Sequence, residues 1–175
     1  CDAGIVAARI AVEARAIAND MGADQVATVG VVELKPNLVN VVPNRALITV
    51  DLRNTNEALL KDAEARLFAY ADKVAADEGV TLERRTLARF EPVEFSSDMV
   101  DLVERSAKRQ GLSTRRMPSG AGHDAQMFAP NCPTAMIFVP SRDGISHNIK
   151  EFTEPEDIRA GANVLLRVVL EKANE

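Results

Sequence analysis

The stretch that decides the fold is "QVATVGVVELKPNLVNVVPNRALITVDLRN", residues 25–54. Its first part, "QVATVGVVEL", is β-branched and roughly alternating, which predicts a strand. Its last part alternates cleanly. Ala46, Ile48, Val50 and Leu52 face one way, and Leu47, Thr49, Asp51 and Arg53 the other. That is the signature of a half-buried antiparallel strand. Between them "KPNLVNVVPN" holds two prolines and three asparagines, so it is a connection rather than a regular element.

Helices flank this pair of strands. Upstream, residues 3–20 carry Ile5, Ala8, Val12 and Ala16 at helical spacing, with Gly22 as the expected C-cap. Downstream, Thr55 or Asn56 caps a long helix whose stripe is Leu60, Ala63, Leu67, Ala71 and Val74, ending before Gly79. "VTLERRTLARF", residues 80–90, reads as a further strand. Two helices are expected to cover one face of the sheet, leaving the other face polar. The order α-β-β-α-β is a ferredoxin-like β-α-β-β-α-β pattern without its first strand.

Composition shifts at "EPVEF", residues 91–95, which marks the expected boundary between a 1–92 domain and a 93–175 domain. Ser96 or Ser97 caps a helix with Val100, Val103 and Ala107 on one side, closed by Gly111. "STRRMPSG" predicts a short strand and turn, and "AGHDAQMFA" a glycine loop entering a short helix. "PTAMIFVP" is a continuous apolar run, the pattern of a strand buried on both faces. The last helix begins near "TEPED", where Thr153 and Glu156 have capping-box spacing and Pro155 sits in the first turn. The second part thus reads α-β-α-β-α, an α/β layout with too few strands for an independent domain. The fold class expected overall is α/β and α+β.

Composition narrows the function. The chain has 175 residues, 46% of them hydrophobic and 27% charged, enough for a packed core. A net charge of −5 gives no electrostatic reason to expect nucleic acid or an anionic membrane as partner. No apolar run approaches the roughly 20 residues that span a bilayer. Two cysteines make neither a disulfide framework nor a metal cluster and suit a reducing cytoplasm. The chain opens on Cys1 directly inside a helix, without a basic leader, as a portion of a longer protein would.

Three places offer chemistry. The chain's two histidines are His123 and His147. His147 lies in "GISHN", beyond the carboxyl end of the apolar run, where open α/β sheets place their sites; it is either a metal ligand or a loop residue bonding backbone. In "SGAGHDAQ", glycines before a helix start expose backbone N–H groups suited to an oxyanion, with His123 or Asp124 supplying a polar group. The plainer reading is a tight turn with Asp124 at the helix N-terminus. Asn40 and Arg53 lie thirteen residues apart on an expected hairpin that brings them close, where an Arg fork and an Asn hold a substrate carboxylate. Otherwise Arg53 is a solvated partner of Asp51. No HExxH, GxSxG or phosphate loop is present.

Four segments, "PNLVNVVPNRALITVDLRN", "SGAGHDAQ", "PTAMIFVPSRDGISHN" and "FTEPEDIRAGANVLL", together resemble the group of N-carbamoyl-L-amino acid hydrolases, β-ureidopropionases and allantoate amidohydrolases. They fall in order within the span Val31 to Leu166. The resemblance implies a catalytic α/β domain and an inserted ferredoxin-like lid that makes a homodimer. It also implies two divalent ions per subunit (zinc, manganese, cobalt or nickel) that polarise an amide or ureido carbonyl. His147 matches the last metal ligand, Asn40 and Arg53 the lid residues that grip the substrate carboxylate, and Gly122 a backbone contact to substrate; His123 receives no role. The other metal ligands, the general-base glutamate and a further substrate-contacting histidine of such proteins lie upstream of everything in this chain. The expectation is therefore a C-terminal half, inactive alone, of a cytoplasmic amidohydrolase acting on a small ureido acid. The alternatives are an α+β carboxylate-binding or dimerisation module, and a peptidase or aminoacylase of the same superfamily.

Overall fold

The structure is a computed structural model that describes residues 1–22 and 24–175. The chain divides into two compact units, Cys1–Pro92 and Val93–Glu175.

In the first unit, helix α1 (Ala3–Met21) leads into strand β1 (Val26–Lys35), strand β2 (Arg45–Arg53) and helix α2 (Glu57–Glu78). Each helix is capped as its sequence demands. The Asp2 carboxylate accepts the N–H groups of Gly4 and Ile5, and the Asn56 side chain those of Ala58 and Leu59; such a cap is worth about 1 kcal/mol. Gly79 ends α2 with φ +64°, the left-handed conformation that glycine adopts without steric cost. The strands pair antiparallel, with Val26 opposite Arg53 and Lys35 opposite Arg45. Gly30 is a β-bulge that shifts the register between Val29 and Val31. The Val31 N–H there finds Thr49 Oγ1 at 3.1 Å.

The helices cover one face of this ribbon. Val6, Ile10, Ala14 and Ile17 of α1 meet Ala63, Leu67, Ala71 and Val74 of α2, with Ala27, Val29, Ile48, Val50 and Leu52 packed beneath. The stripe expected on α2 is the buried one. The stripe expected on α1 is not: Ile5, Ala8, Val12 and Ala16 are all exposed, Val12 by 70%. The helix is apolar on two faces about one residue apart in phase, so periodicity alone does not choose between them. The outward face of the ribbon also departs from expectation, since it carries Val26, Val31 and Leu47 beside its polar residues.

Residues 80–90 are not a strand. A strand needs a partner for its N–H and C=O groups, and β1 and β2 pair only with each other. The early part of the segment still packs, with Val80 and Leu82 against the helix core. Farther along, Arg89 bridges Glu57 and Glu64 of α2 at 2.9 and 2.7 Å.

The second unit holds helix α3 (Ser97–Arg109), short helix α4 (Ala125–Phe128), a 3₁₀ turn (Arg142–Gly144) and helix α5 (Pro155–Ala173). Its core joins Leu102 and Ala107 of α3 to Val164 and Val168 of α5. Of the α3 face expected from sequence, Ala107 is buried and Val103 packs at the margin; Leu102 and Ser106 share the buried face, which the count of apolar side chains alone had placed one residue off. On the outer side of α3, the Glu104 carboxyl is held down to about 2 by hydrogen bonds from Lys108 and Arg116. The α5 start also differs. Glu154 is the cap residue and no side chain caps the helix; with the cap there, Thr153 and Glu156 each fall one residue before the N-cap and N3 positions that a capping box uses.

Neither "STRRMPSG" nor "PTAMIFVP" forms a strand among the described residues, so this unit shows no sheet. The apolar run is half-buried rather than enclosed. Thr134 O accepts the Ser96 N–H at 3.1 Å, Ile137 reaches the α3–α5 core, and Phe138 and Val139 remain exposed. Packing within this unit accounts for Ile137 of the run and leaves Phe138 and Val139 uncovered. Gly161 of α5 is where the run crosses closest: a Cβ there would lie 2.5 Å from Val139 Cγ1. Gly→Ala in a helix ordinarily stabilises by up to about 1 kcal/mol. Here the sign should invert. Gly161→Ala is expected to destabilise the chain by about 1–3 kcal/mol through overpacking, measured by urea unfolding.

Candidate functional site

Arg53 is the last residue of β2, and its end of the ribbon is stapled. Asn54 Nδ2 donates to Gln25 Oε1 at 3.0 Å, and the Gln25 amide donates to Val26 O. The Arg53 fork engages Asp51, two residues earlier on the same face, through Nη2 at 2.6 Å and Nε at 3.0 Å. That hydrogen bond holds the Asp51 carboxyl below its ordinary range and raises the Arg53 guanidinium. A substrate carboxylate would enter an arginine already oriented by a neighbouring one.

Asn40 is elsewhere. It sits exposed in the connection 36–44, whose base is closed by the Asn44 N–H on Lys35 O at 3.0 Å. Pro43 O accepts the Ala3 N–H at 3.1 Å, fixing the connection to the start of α1. Arg53 lies instead at the far end of the ribbon, eight residues or about 26 Å of strand from Arg45. The expected closeness of Asn40 and Arg53 within one chain is therefore incorrect. The register places the connection at one end of the hairpin and Arg53 at the other. Helix α1 gives the same answer, since its 19 residues span about 28 Å between the two ends.

In the second unit, Gly122 is exposed, and no atom lies within 4 Å of where its Cβ would be, so backbone approach to it is open. The loop is shaped by Ser119, whose hydroxyl donates to Ala121 O and accepts the Ala121 N–H. His123 Nδ1 accepts the Ala125 N–H at 3.0 Å, which puts the proton of a neutral ring on Nε2. The histidine thus caps α4, a role the plainer reading had given to Asp124, whose side chain makes no cap bond.

His147 lies on a loop tied at both ends. The Arg142 N–H donates to Phe152 O at 2.8 Å, the Arg142 guanidinium stacks 4.3 Å over the Phe152 ring, and it pairs with Glu154 at 2.6 Å. Ser141 Oγ donates to Ile145 O at 2.5 Å. An irregular segment whose ends meet is a compact Ω-type loop. Within it His147 has φ +55°, the left-handed region, which costs an L-residue about 1 kcal/mol. Its backbone N–H donates to Glu151 Oε2 at 3.0 Å, and the residue is exposed. The required kind of donor for a metal is present here, on a pinned loop. Among the described residues no three His, Cys, Asp or Glu side chains gather to hold a metal ion.

Comparisons with known proteins follow this pattern. The sequence profile of peptidase family M20/M25/M40 matches residues 4–171. The chain is 38% identical over 156 residues to an allantoate amidohydrolase of Escherichia coli, covering 89% of this chain and 38% of that one. It is 37% identical over 172 residues to an N-carbamoyl-L-amino-acid amidohydrolase of Rhizobium meliloti, covering 98% and 41%. A crystal structure of a hydantoinase/carbamoylase-family amidase from Burkholderia vietnamiensis superposes with a TM-score of 0.94 at 41% identity, over 99% of this chain and 42% of that one. The mixed α/β architecture is thus that of known amidase structures. The chain spans about two fifths of the length of the relatives it matches. No helix among the described residues is long and apolar enough to cross a membrane.

Proposed function

The chain belongs to peptidase family M20/M25/M40, and from that premise we propose that it is part of a metal-dependent amidohydrolase that cleaves the ureido or amide C–N bond of an N-carbamoyl amino acid or related ureido acid. Residues 1–92 are then most of a ferredoxin-like lid and dimerisation domain, and residues 93–175 part of a catalytic domain. The observation that carries this reading is His147, an exposed imidazole on a loop tied at both ends, in a chain similar along its length to ureido-acid hydrolases.

His147 would hold one of two divalent ions, with the remaining ligands supplied by sequence beyond these 175 residues. When bound, the ions supply Lewis acidity toward the scissile carbonyl. The chain's own part is binding and orientation. Arg53, aligned by Asp51, presents a guanidinium to the substrate carboxylate. Asn40 completes that grip from a second copy of the chain, because one copy holds the two residues at opposite ends of its ribbon. Gly122 offers backbone to the substrate, with no side chain in the way.

The test compares substrates. The metal-loaded longer polypeptide is expected to hydrolyse N-carbamoyl amino acids at least about a hundredfold faster, by kcat/KM, than the matching N-acetyl amino acids, since a site built to bond the ureido nitrogen rejects an analogue lacking it. The 175-residue chain alone is expected to release no ammonia with added zinc, manganese, cobalt or nickel. Preference for acyl substrates, or turnover by the chain alone, would contradict the reading.

A further inference from the structure

The His147 loop contains a carboxylate that the reading above does not use. Asn148, Lys150 and Glu151 form a tight turn: Glu151 N–H donates to Asn148 O at 3.0 Å, and Lys150 N–H to Asn148 Oδ1 at 3.0 Å. The turn folds the chain back so that Glu151 Oε2 meets the His147 N–H four residues earlier. His147 is left-handed without being glycine. A backbone in that region persists only where its surroundings over-determine it. Carboxylates are strong acceptors for a backbone N–H, and this one bonds the strained residue itself.

We propose that Glu151 is a positioning residue for His147: by accepting its N–H, Glu151 holds the left-handed backbone that presents the imidazole outward, and Arg142, bonded to Phe152 and Glu154, closes the loop behind it. The purpose of that presentation rests on His147 being a metal ligand. The positioning itself is visible without any metal, so the two can fail separately.

The first measurement is amide hydrogen exchange in the 175-residue chain. The reporter is the Arg142 N–H, whose bond to Phe152 O closes the loop. Glu151→Ala is expected to speed its exchange on the order of tenfold, as loss of a hydrogen bond to a charged acceptor does. Glu151→Gln, which keeps an acceptor oxygen, should stay within about twofold of the unsubstituted chain. The decisive arm is Glu151→Ala placed in a His147→Gly background. Glycine adopts the left-handed region without help, so the acceleration should vanish there. Equal acceleration in both backgrounds, no acceleration in either, or Glu151→Gln behaving as Glu151→Ala would overturn the proposal. In the longer polypeptide, Glu151→Ala should weaken zinc affinity about tenfold or more, the usual cost of losing support behind a ligand, and Glu151→Gln should preserve it. Unchanged zinc affinity in Glu151→Ala would equally refute the positioning role. Retention of the full metal complement by His147→Ala would instead count against the ligand reading alone.

Discussion

Replacing His147 with alanine in the longer polypeptide is expected to abolish nearly all ureido hydrolysis, by at least about a thousandfold in kcat. The estimate follows from what the ligand supports. Polarisation of the carbonyl by a bound ion contributes several kcal/mol to the transition state, and each 1.36 kcal/mol is a factor of ten in rate. Loss of one donor empties or displaces the ion it holds. The fold should survive. His147 is exposed, and it lies outside the α3–α5 core of Leu102, Ala107, Val164 and Val168. Thermal unfolding of the variant should therefore stay close to that of the parent, falling at most slightly, since histidine tolerates the left-handed region somewhat better than alanine does. Loss of activity with an intact melting transition separates a ligand role from a structural one. Retained turnover would remove His147 from the site.

The second large effect concerns Arg53 and Asn40. Arg53→Ala alone and Asn40→Ala alone should each raise KM for a free-carboxylate substrate by about a hundredfold or more, because each leaves a carboxylate short of a bonded partner. Mixing the two weakened variants, assayed at a substrate concentration well below their raised KM, is the informative step. If Asn40 serves the neighbouring copy's Arg53, a mixed dimer assembles one site with both substitutions and one with neither. Re-association should then recover up to about a quarter of the parental activity, as half of the dimers are mixed and each carries one complete site. The expectation comes from the hairpin register, which puts Lys35 opposite Arg45 and Val26 opposite Arg53, with the Asn40 connection beyond the first pair. No recovery on mixing, with dimers shown to exchange, would mean that both residues of a site come from the same copy or that neither belongs to a site.

What could be read from sequence depended on whether local pattern or distant partners fixed the outcome. Helix α2 was legible in its buried stripe, because Leu60, Ala63, Leu67, Ala71 and Val74 recur at helical spacing between charged residues such as Lys61, Asp62, Glu64 and Arg66, although Leu59 and Phe68 stay exposed. Helix α1 was legible as a helix but not in its orientation. Ile5 and Val12 compete with Val6, Ile10 and Ile17, and only packing against α2 decides. Residues 80–90 and 133–140 have strand-like composition, yet a strand exists only with a ladder partner, and composition does not state whether one is there. The thirteen-residue spacing of Asn40 and Arg53 carried no information about register. A nine-residue connection and a Gly30 bulge set which residues end up opposite, and neither is visible in a count. His147 was found through its motif. The left-handed backbone and the Glu151 bond beneath it had no signal in "GISHN" that sequence reasoning could use.

Metal stoichiometry tests the role of His147 most directly. Elemental analysis of the longer polypeptide, purified with its native metal or reconstituted with zinc, should give two divalent ions per subunit, and the His147→Ala protein should retain one or none. Two tightly held ions in both proteins would contradict the assignment of His147, and none in either would contradict the metal-dependent chemistry proposed for this chain.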